Sequence, residues 1–206
     1  KGKTVGGYDR TPTELTRKLE EEGATIHYED NVEGISQDFL DAQTTLVVYT
    51  PAIPAEHKEL TFFRQQGFEV QKRAQVLGML TERGLCVAGT HGKTTTSTLA
   101  AYLLDHSHVG CNAFLGGISK NYGTNLLLSD TSDFVVIEAD EFDRSFHWLT
   151  PYASVIAATD SDHLDIYGDH AAYVESFRKY TSLIRPDGYL IVKKGIDLTP
   201  DVQPGV

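Results

Sequence analysis

The stretch Leu85 to Leu99, LCVAGTHGKTTTSTL, gathers the residue types that hold a polyphosphate. Leu85-Cys86-Val87-Ala88 is a short apolar run of strand character, Gly89 and Gly92 break it, and a helix-compatible segment opens at Lys93. Glycines let backbone N–H groups close round phosphate oxygens, a helix N-terminus adds the positive end of its dipole, and the lysine brings a mobile charge. A threonine directly after the lysine, here Thr94, can ligate magnesium. The spacing departs from G-x-x-x-x-G-K-[ST], because Val87 stands where the first glycine should be, so the loop is a shorter variant. Gly89, Thr90, His91, Gly92, Lys93, Thr94 and Thr95 are the candidate ATP-binding residues, with ATP and Mg2+ as the expected cofactors. Lys93→Ala is expected to abolish turnover while leaving the fold intact.

Two further stretches bring oxygen and imidazole ligands to strand ends. In DFVVIEADEFD, Phe134 to Ile137 reads as an apolar strand that delivers Glu138 at its C-terminal end, the edge where open parallel sheets bind ligands. The acids at 138, 140, 141 and 143 are too dense for a packed element; Glu138 is the expected metal ligand, and Asp140 and Glu141 read individually as solvated loop acids. Ser154 to Thr159 is another apolar strand, running into Asp160-Ser161-Asp162-His163-Leu164-Asp165, and His163 is expected to serve a magnesium or a phosphate. Lys93, Glu138 and His163 are thus the candidate catalytic set, and Thr94, Glu138 and His163 the candidate metal set. No Ser or Cys stands out as a nucleophile. Asp9, at the end of an early strand, reads equally as a grip for a ribose or base and as an ordinary turn acid.

The elements that must position these groups alternate. Thr4 to Asp9 reads as a strand, Thr13 to Glu22 as a helix closed by Gly23, Ala24 to Tyr28 as a strand, Ser36 to Asp41 as a short helix, and Thr45 to Tyr49 as a strand. Pro54 to Gln66 reads as a helix, Phe68 to Val70 as a strand and Arg73 to Glu82 as a helix. After the loop come a helix to about His106, a strand at Asn112 to Leu115, a polar loop, the two acid-bearing strands, a helix over Asp169 to Ile184 and a last strand at Tyr189 to Val192. Tyr173, Phe177, Tyr180 and Ile184 fall on one stripe of that helix and read as core. Strands alternating with helices predict an α/β protein with parallel, doubly wound sheets: a Rossmann-like domain over residues 1–83, then a P-loop ATPase-type central α/β domain over 84–206.

Composition bounds the partners. The 206 residues are 40% hydrophobic, enough for globular cores, and 18 Lys+Arg against 29 Asp+Glu give a net charge of −11. With no basic cluster, that balance argues against nucleic acid or an anionic membrane surface as partner. Cys86 and Cys111 form no C-x-x-C pair and read as buried thiols. No signal peptide or long apolar span is present, so no membrane insertion is expected and a reducing cytoplasm fits. The chain opens at Lys1, almost at once in strand-like sequence, and reads as an excerpt of something longer.

GTHGKTTTS, EADEFDRSFHWLTP and DHLDIYG closely resemble, in sequence and spacing, the Mur ligases, the ATP-dependent amide-forming enzymes of bacterial peptidoglycan precursor synthesis. The resemblance extends across nearly the whole chain. It implies attack of a muramyl lactate carboxylate on the γ-phosphate of ATP, an acyl phosphate, and displacement of phosphate by an amino acid, with UDP-N-acetylmuramate and L-alanine as substrates. It carries sugar-nucleotide contacts to Asp9, Thr50, Ala52, Ile53, Asn121 and Tyr122, although Thr50-Pro51 stands where the family often has two serines. It implies a glycine-rich turn upstream and a third domain downstream. Members that re-attach a recycled tripeptide usually carry an insertion that Phe146 to Pro151 bridges without one. A P-loop kinase or switch, and a non-catalytic nucleotide-binding fragment, are the readings from other classes; the first would require the longer glycine loop.

Overall fold

The computed structural model describes residues 2–81 and 83–206. Two compact units divide the chain, one ending at Arg73 and the other beginning at Ala74.

In the first unit, strand β1 (Gly6–Tyr8) leads to helix α1 (Glu14–Glu21) and strand β2 (Thr25–His27), which pairs parallel with β1. Thr13 starts α1 because two threonines satisfy each other's free amides: the Thr13 hydroxyl accepts from Thr16 N at 3.1 Å, and the Thr16 hydroxyl accepts from Thr13 N at 2.8 Å. Two single-turn 3-10 segments, Val32–Gly34 and Gln37–Phe39, precede strand β3 (Leu46–Tyr49), helix α2 (Lys58–Gln65) and strand β4 (Glu69–Lys72), which pairs parallel with β3. The helix expected from Pro54 begins only at Lys58. His57 caps it, and the Asp30 carboxylate accepts from Lys58 N (3.0 Å) and Glu59 N (3.3 Å), an anion held at the positive end of a helix. The parallel α/β class stands, but the described strands of this unit form two separate pairs rather than one sheet.

Helix α3 (Arg73–Met79) joins the units; the expected helix end at Glu82 lies outside the described residues. The second unit then lays down β5 (Arg83–Ala88), α4 (Lys93–Asp105), β6 (Asn112–Ser119), β7 (Thr124–Leu127), β8 (Phe134–Ala139), β9 (Ala153–Ile156), the short α5 (Leu164–Tyr167), α6 (His170–Thr181) and β10 (Tyr189–Val192). Their sheet has the order β10-β9-β5-β8-β6-β7. Every neighbouring pair is parallel except β6 with β7. Strand β5 is central, flanked by β8 and β9, and the chain leaves its C-terminal end through α4 to reach β6 beyond β8. Ligands of open α/β sheets bind in the crevice that opens where the connections part in this way.

Strand β7 is a correction: the segment expected as a polar loop pairs with β6 across a turn in which Gly123, at φ +66°, donates to Ser119 O at 2.8 Å. One face of the sheet packs Cys86, Ile137, Phe146, Ile156, Tyr173, Phe177 and Tyr180 into a closed cluster, and the expected stripe on α6 supplies its aromatic part. Ala101, Cys111, Ala113, Leu115 and Val136 fill a second cluster against α4. Both cysteines are buried free thiols, as expected. Among the described residues no helix is long and apolar enough to cross a membrane.

Candidate phosphate and metal site

Strand β5 ends at Ala88, and the chain turns on two glycines that have positive φ. Gly89 sits at φ +139°, and a β-carbon there would meet Ala158 N at 2.8 Å, so only glycine lets the loop lie against the chain that follows β9. Thr90 N donates to Ala158 O at 3.1 Å, and the Thr90 hydroxyl donates to Asp160 O at 2.7 Å while accepting from the Tyr173 hydroxyl at 2.9 Å. The amide of Thr90 is therefore spent on the scaffold. His91 faces Asp160, Nε2 to Oδ2 2.7 Å, at the exposed rim. Gly92, at φ +83°, is the N-cap of α4 and offers no side chain to the helix, so the first-turn amides of α4 have no intrahelical or cap acceptor. They border an open cavity of about 240 Å3 lined by Thr90, His91, Gly92, Lys93, Thr94 and Thr95.

Lys93 does not hang free in that cavity. Its Nζ donates to Gly89 O (2.8 Å), Glu141 Oε1 (2.9 Å) and Glu141 Oε2 (2.8 Å). Glu141 is fully buried, a correction to its reading as a solvated loop acid: the backbone turns inward after β8, Tyr167 donates its hydroxyl to Glu141 O, and Lys93 neutralises the carboxylate. Asp140 is exposed, as expected.

Glu138 is held from three sides. Its Oε1 accepts from Gly116 N at 2.7 Å and from the Ser97 hydroxyl at 3.0 Å, and its Oε2 accepts from the Thr94 hydroxyl at 3.1 Å. Thr94 and Glu138, predicted together as metal ligands, are thus in contact. His163, expected near a second cation rather than on this pair, lies in the left-handed region at φ 50°; its Nε2 is 4.0 Å from Glu141 Oε1 and 3.7 Å from Asp162 Oδ2, and its ring meets Phe142 edge-on at 5.1 Å. Among the described residues no group of three His, Cys, Asp or Glu side chains could hold a metal ion.

Of the sugar-nucleotide candidates, Asp9 is exposed and accepts from Thr11 N at 3.0 Å, an ordinary turn contact. Thr50, Ala52 and Ile53 form the turn after β3, closed by Ile53 N on Thr50 O at 3.2 Å. Asn121 and Tyr122 sit in the β6–β7 turn, and the Tyr122 hydroxyl donates to Asp105 Oδ2 at 3.0 Å at the far end of α4 from Lys93. Burial, and then the Asp105 carboxylate, push that phenol up to about 12.

Sequence reading missed Ser97, Gly116 and Glu141. Ser97 was open to detection, since it stands one turn after Thr94 on the same face of a helix. Gly116 and Glu141 gave no such sign, because only the folded sheet brings them to Glu138 and Lys93.

A central parallel strand that runs through a glycine turn into a helix opening Lys-Thr defines a nucleotide-binding α/β unit of the P-loop kind. The profile of the Mur ligase middle domain matches residues 87–201, and that of the Mur ligase family, catalytic domain, matches residues 1–84. The chain belongs to the Mur ligase family. Among its relatives, a protein of Phocaeicola vulgatus named UDP-N-acetylmuramate--L-alanine ligase is 74% identical over 100% of this chain and 45% of its own length. One of the same name from Parabacteroides distasonis is 68% identical with the same coverage. The chain therefore spans about half the length of the curated relatives it matches. Among solved structures, the UDP-N-acetylmuramate-alanine ligase of Thermotoga maritima has a TM-score of 0.76 at 27% identity, over 95% of this chain and 44% of that one. The UDP-N-acetylmuramate:L-alanyl-gamma-D-glutamyl-meso-diaminopimelate ligase of Neisseria meningitides has a TM-score of 0.83 over 97% and 69%; at 23% identity it speaks for the fold alone.

Proposed function

We propose that this chain is the sugar-nucleotide and ATP portion of a ligase that joins L-alanine to the lactyl carboxylate of UDP-N-acetylmuramate, using ATP. The observation that carries the reading is 74% identity across the whole chain to a relative of that name. Residues 1–83 would hold the sugar nucleotide through Asp9, Thr50, Ala52 and Ile53. Residues 84–206 would hold ATP.

The local chemistry is consistent with this role. Transfer of a phosphoryl group to a carboxylate relies on positioning and charge neutralisation, with no protein nucleophile. The uncapped first-turn amides of α4 would meet phosphate oxygens beside the Lys93 ammonium, and the short glycine turn would bring the backbone close. The donor set fits magnesium: a threonine hydroxyl and a carboxylate in contact are hard oxygens, and Mg2+ is usually held by one or two such groups, with waters and phosphate oxygens completing the shell. Thr94 and Glu138 would hold that ion, which supplies neutralisation of the phosphate charge. Ser97 and Gly116 fix the carboxylate's orientation. His163 would serve a second cation or a phosphate beside Glu141.

Phosphate release by the full-length protein, measured with UDP-N-acetylmuramate and with alanine, glycine, serine or a tripeptide in turn, tests the reading. Alanine-dependent release is the expected result. Release that requires the tripeptide, or that ignores the sugar nucleotide, would overturn it.

A further inference from the structure

The Lys93 ammonium has three N–H donors and no acceptor. In this structure all three are taken, one by Gly89 O and one by each oxygen of Glu141. The lysine that should meet a phosphate therefore has no proton left to donate. Glu141 in turn is fully buried; among the described residues its carboxylate receives no backbone N–H, Lys93 is its close cationic partner at 2.8 Å, and His163 Nε2 stands 4.0 Å away. A buried charge is tolerated only when paired, so this carboxylate pulls on the lysine strongly.

We infer that Glu141 is a positioning residue for Lys93: it parks the ammonium beside the loop and yields at least one of its hydrogen bonds when phosphate oxygens arrive. The inference rests on the reading of the loop as an ATP site, and it goes further in assigning a role to an acid outside the predicted catalytic and metal sets. Two consequences pull in opposite directions. Glu141 competes with the nucleotide for Lys93, so it weakens binding of a triphosphate. It also holds the side chain in one arrangement against the Gly89–Gly92 turn, so the ammonium is kept at the loop and turnover is supported. A carboxylate that merely filled space would do neither. Gly89 O is a backbone group and cannot be removed without distorting the turn, which makes Glu141 the adjustable part of the clasp.

The experiment uses the full-length protein. Glu141→Gln preserves shape and removes the charge; calorimetry with a magnesium complex of a non-hydrolysable ATP analogue should show about ten-fold tighter binding than wild type, while kcat falls about ten-fold and Glu141→Asp restores most of it. Binding no tighter than wild type in a folded Glu141→Gln protein overturns the inference. Should that variant not fold, a wild-type structure with the same analogue decides: loss of at least one Lys93 contact to Glu141 or Gly89 supports the clasp, and retention of all three contacts overturns it. Failure of the ATP-site reading itself is distinguishable, because the analogue would then bind none of the proteins.

Discussion

At the residue scale, the acidic run from 138 to 143 shows what side-chain identity alone conceals. Of four acids within six positions the strand end singles out Glu138, which is clamped by Thr94, Ser97 and Gly116, but nothing in sequence separates Asp140, left exposed, from Glu141, sealed against Lys93. Burial sorted them, and burial is set by where β8 ends and how the following turn folds inward. The same pair changes the expectation for Lys93→Ala. Removing the ammonium leaves a buried carboxylate unpaired, which destabilises by about 3 kcal/mol, so the variant should melt measurably lower as well as lose turnover on the order of 100-fold or more. Lys93→Ala combined with Glu141→Gln should regain most of the melting temperature and none of the activity; scanning calorimetry beside a phosphate-release assay reads both. A β-carbon at Gly116 would run into the Glu138 carboxylate. Gly116→Ala should accordingly raise the magnesium concentration needed for nucleotide binding several-fold, and a titration matching wild type would show that Glu138 does not bind the ion.

At the element scale, period and punctuation carried most of the architecture. The apolar runs of β5 and β8 and the aromatic stripe of α6 were legible because each is largely buried, and β10, an edge strand with Tyr189 and Ile191 exposed, was legible because all four of its residues are apolar. Strand β7 was not, because Thr124 and Asn125 make half of TNLL polar and no apolar run marks this edge strand. Its turn, Lys120-Asn121-Tyr122-Gly123, held the missed signal, a glycine placed to take positive φ between two strands. The late start of α2 has a different cause: its N-terminus is fixed by Asp30, which sits far upstream in the chain, and no local pattern reports that. For α6, the fully buried Phe177 packs edge-on to Phe146 and Tyr173. Phe177→Ala should cost about 3–5 kcal/mol, read as a lower urea midpoint with unchanged slope.

At the scale of the molecule, the charge balance and the interior determine the response to pH. Burial holds the pKa of His147 below its ordinary 6.5; the Ser176 carbonyl opposes this, while Lys179 and Arg144 add to it. The unfolded chain therefore takes up this proton at a higher pH than the native protein does. Stability tied to neutral His147 is complete above about 6.5 and is lost as pH falls below that toward the lowered native value. Urea midpoints measured from pH 7.5 down to 5.5 should decline in the wild type and decline less in His147→Gln.

The two thiols give the second unit a pair of built-in clocks. Cys86 lies in the cluster beneath α6 and Cys111 in the one beneath α4, and burial pushes their pKa values up to about 12 and, with help from Asp105, about 11. Neither can be alkylated until its own layer parts, so the rate at which each sulfur is tagged counts the openings of that layer. Equal rates would mean that the sheet releases both faces in one event. A faster Cys111 would mean that the wall behind the phosphate loop breathes while the aromatic side stays shut, and nucleotide should then slow that clock alone.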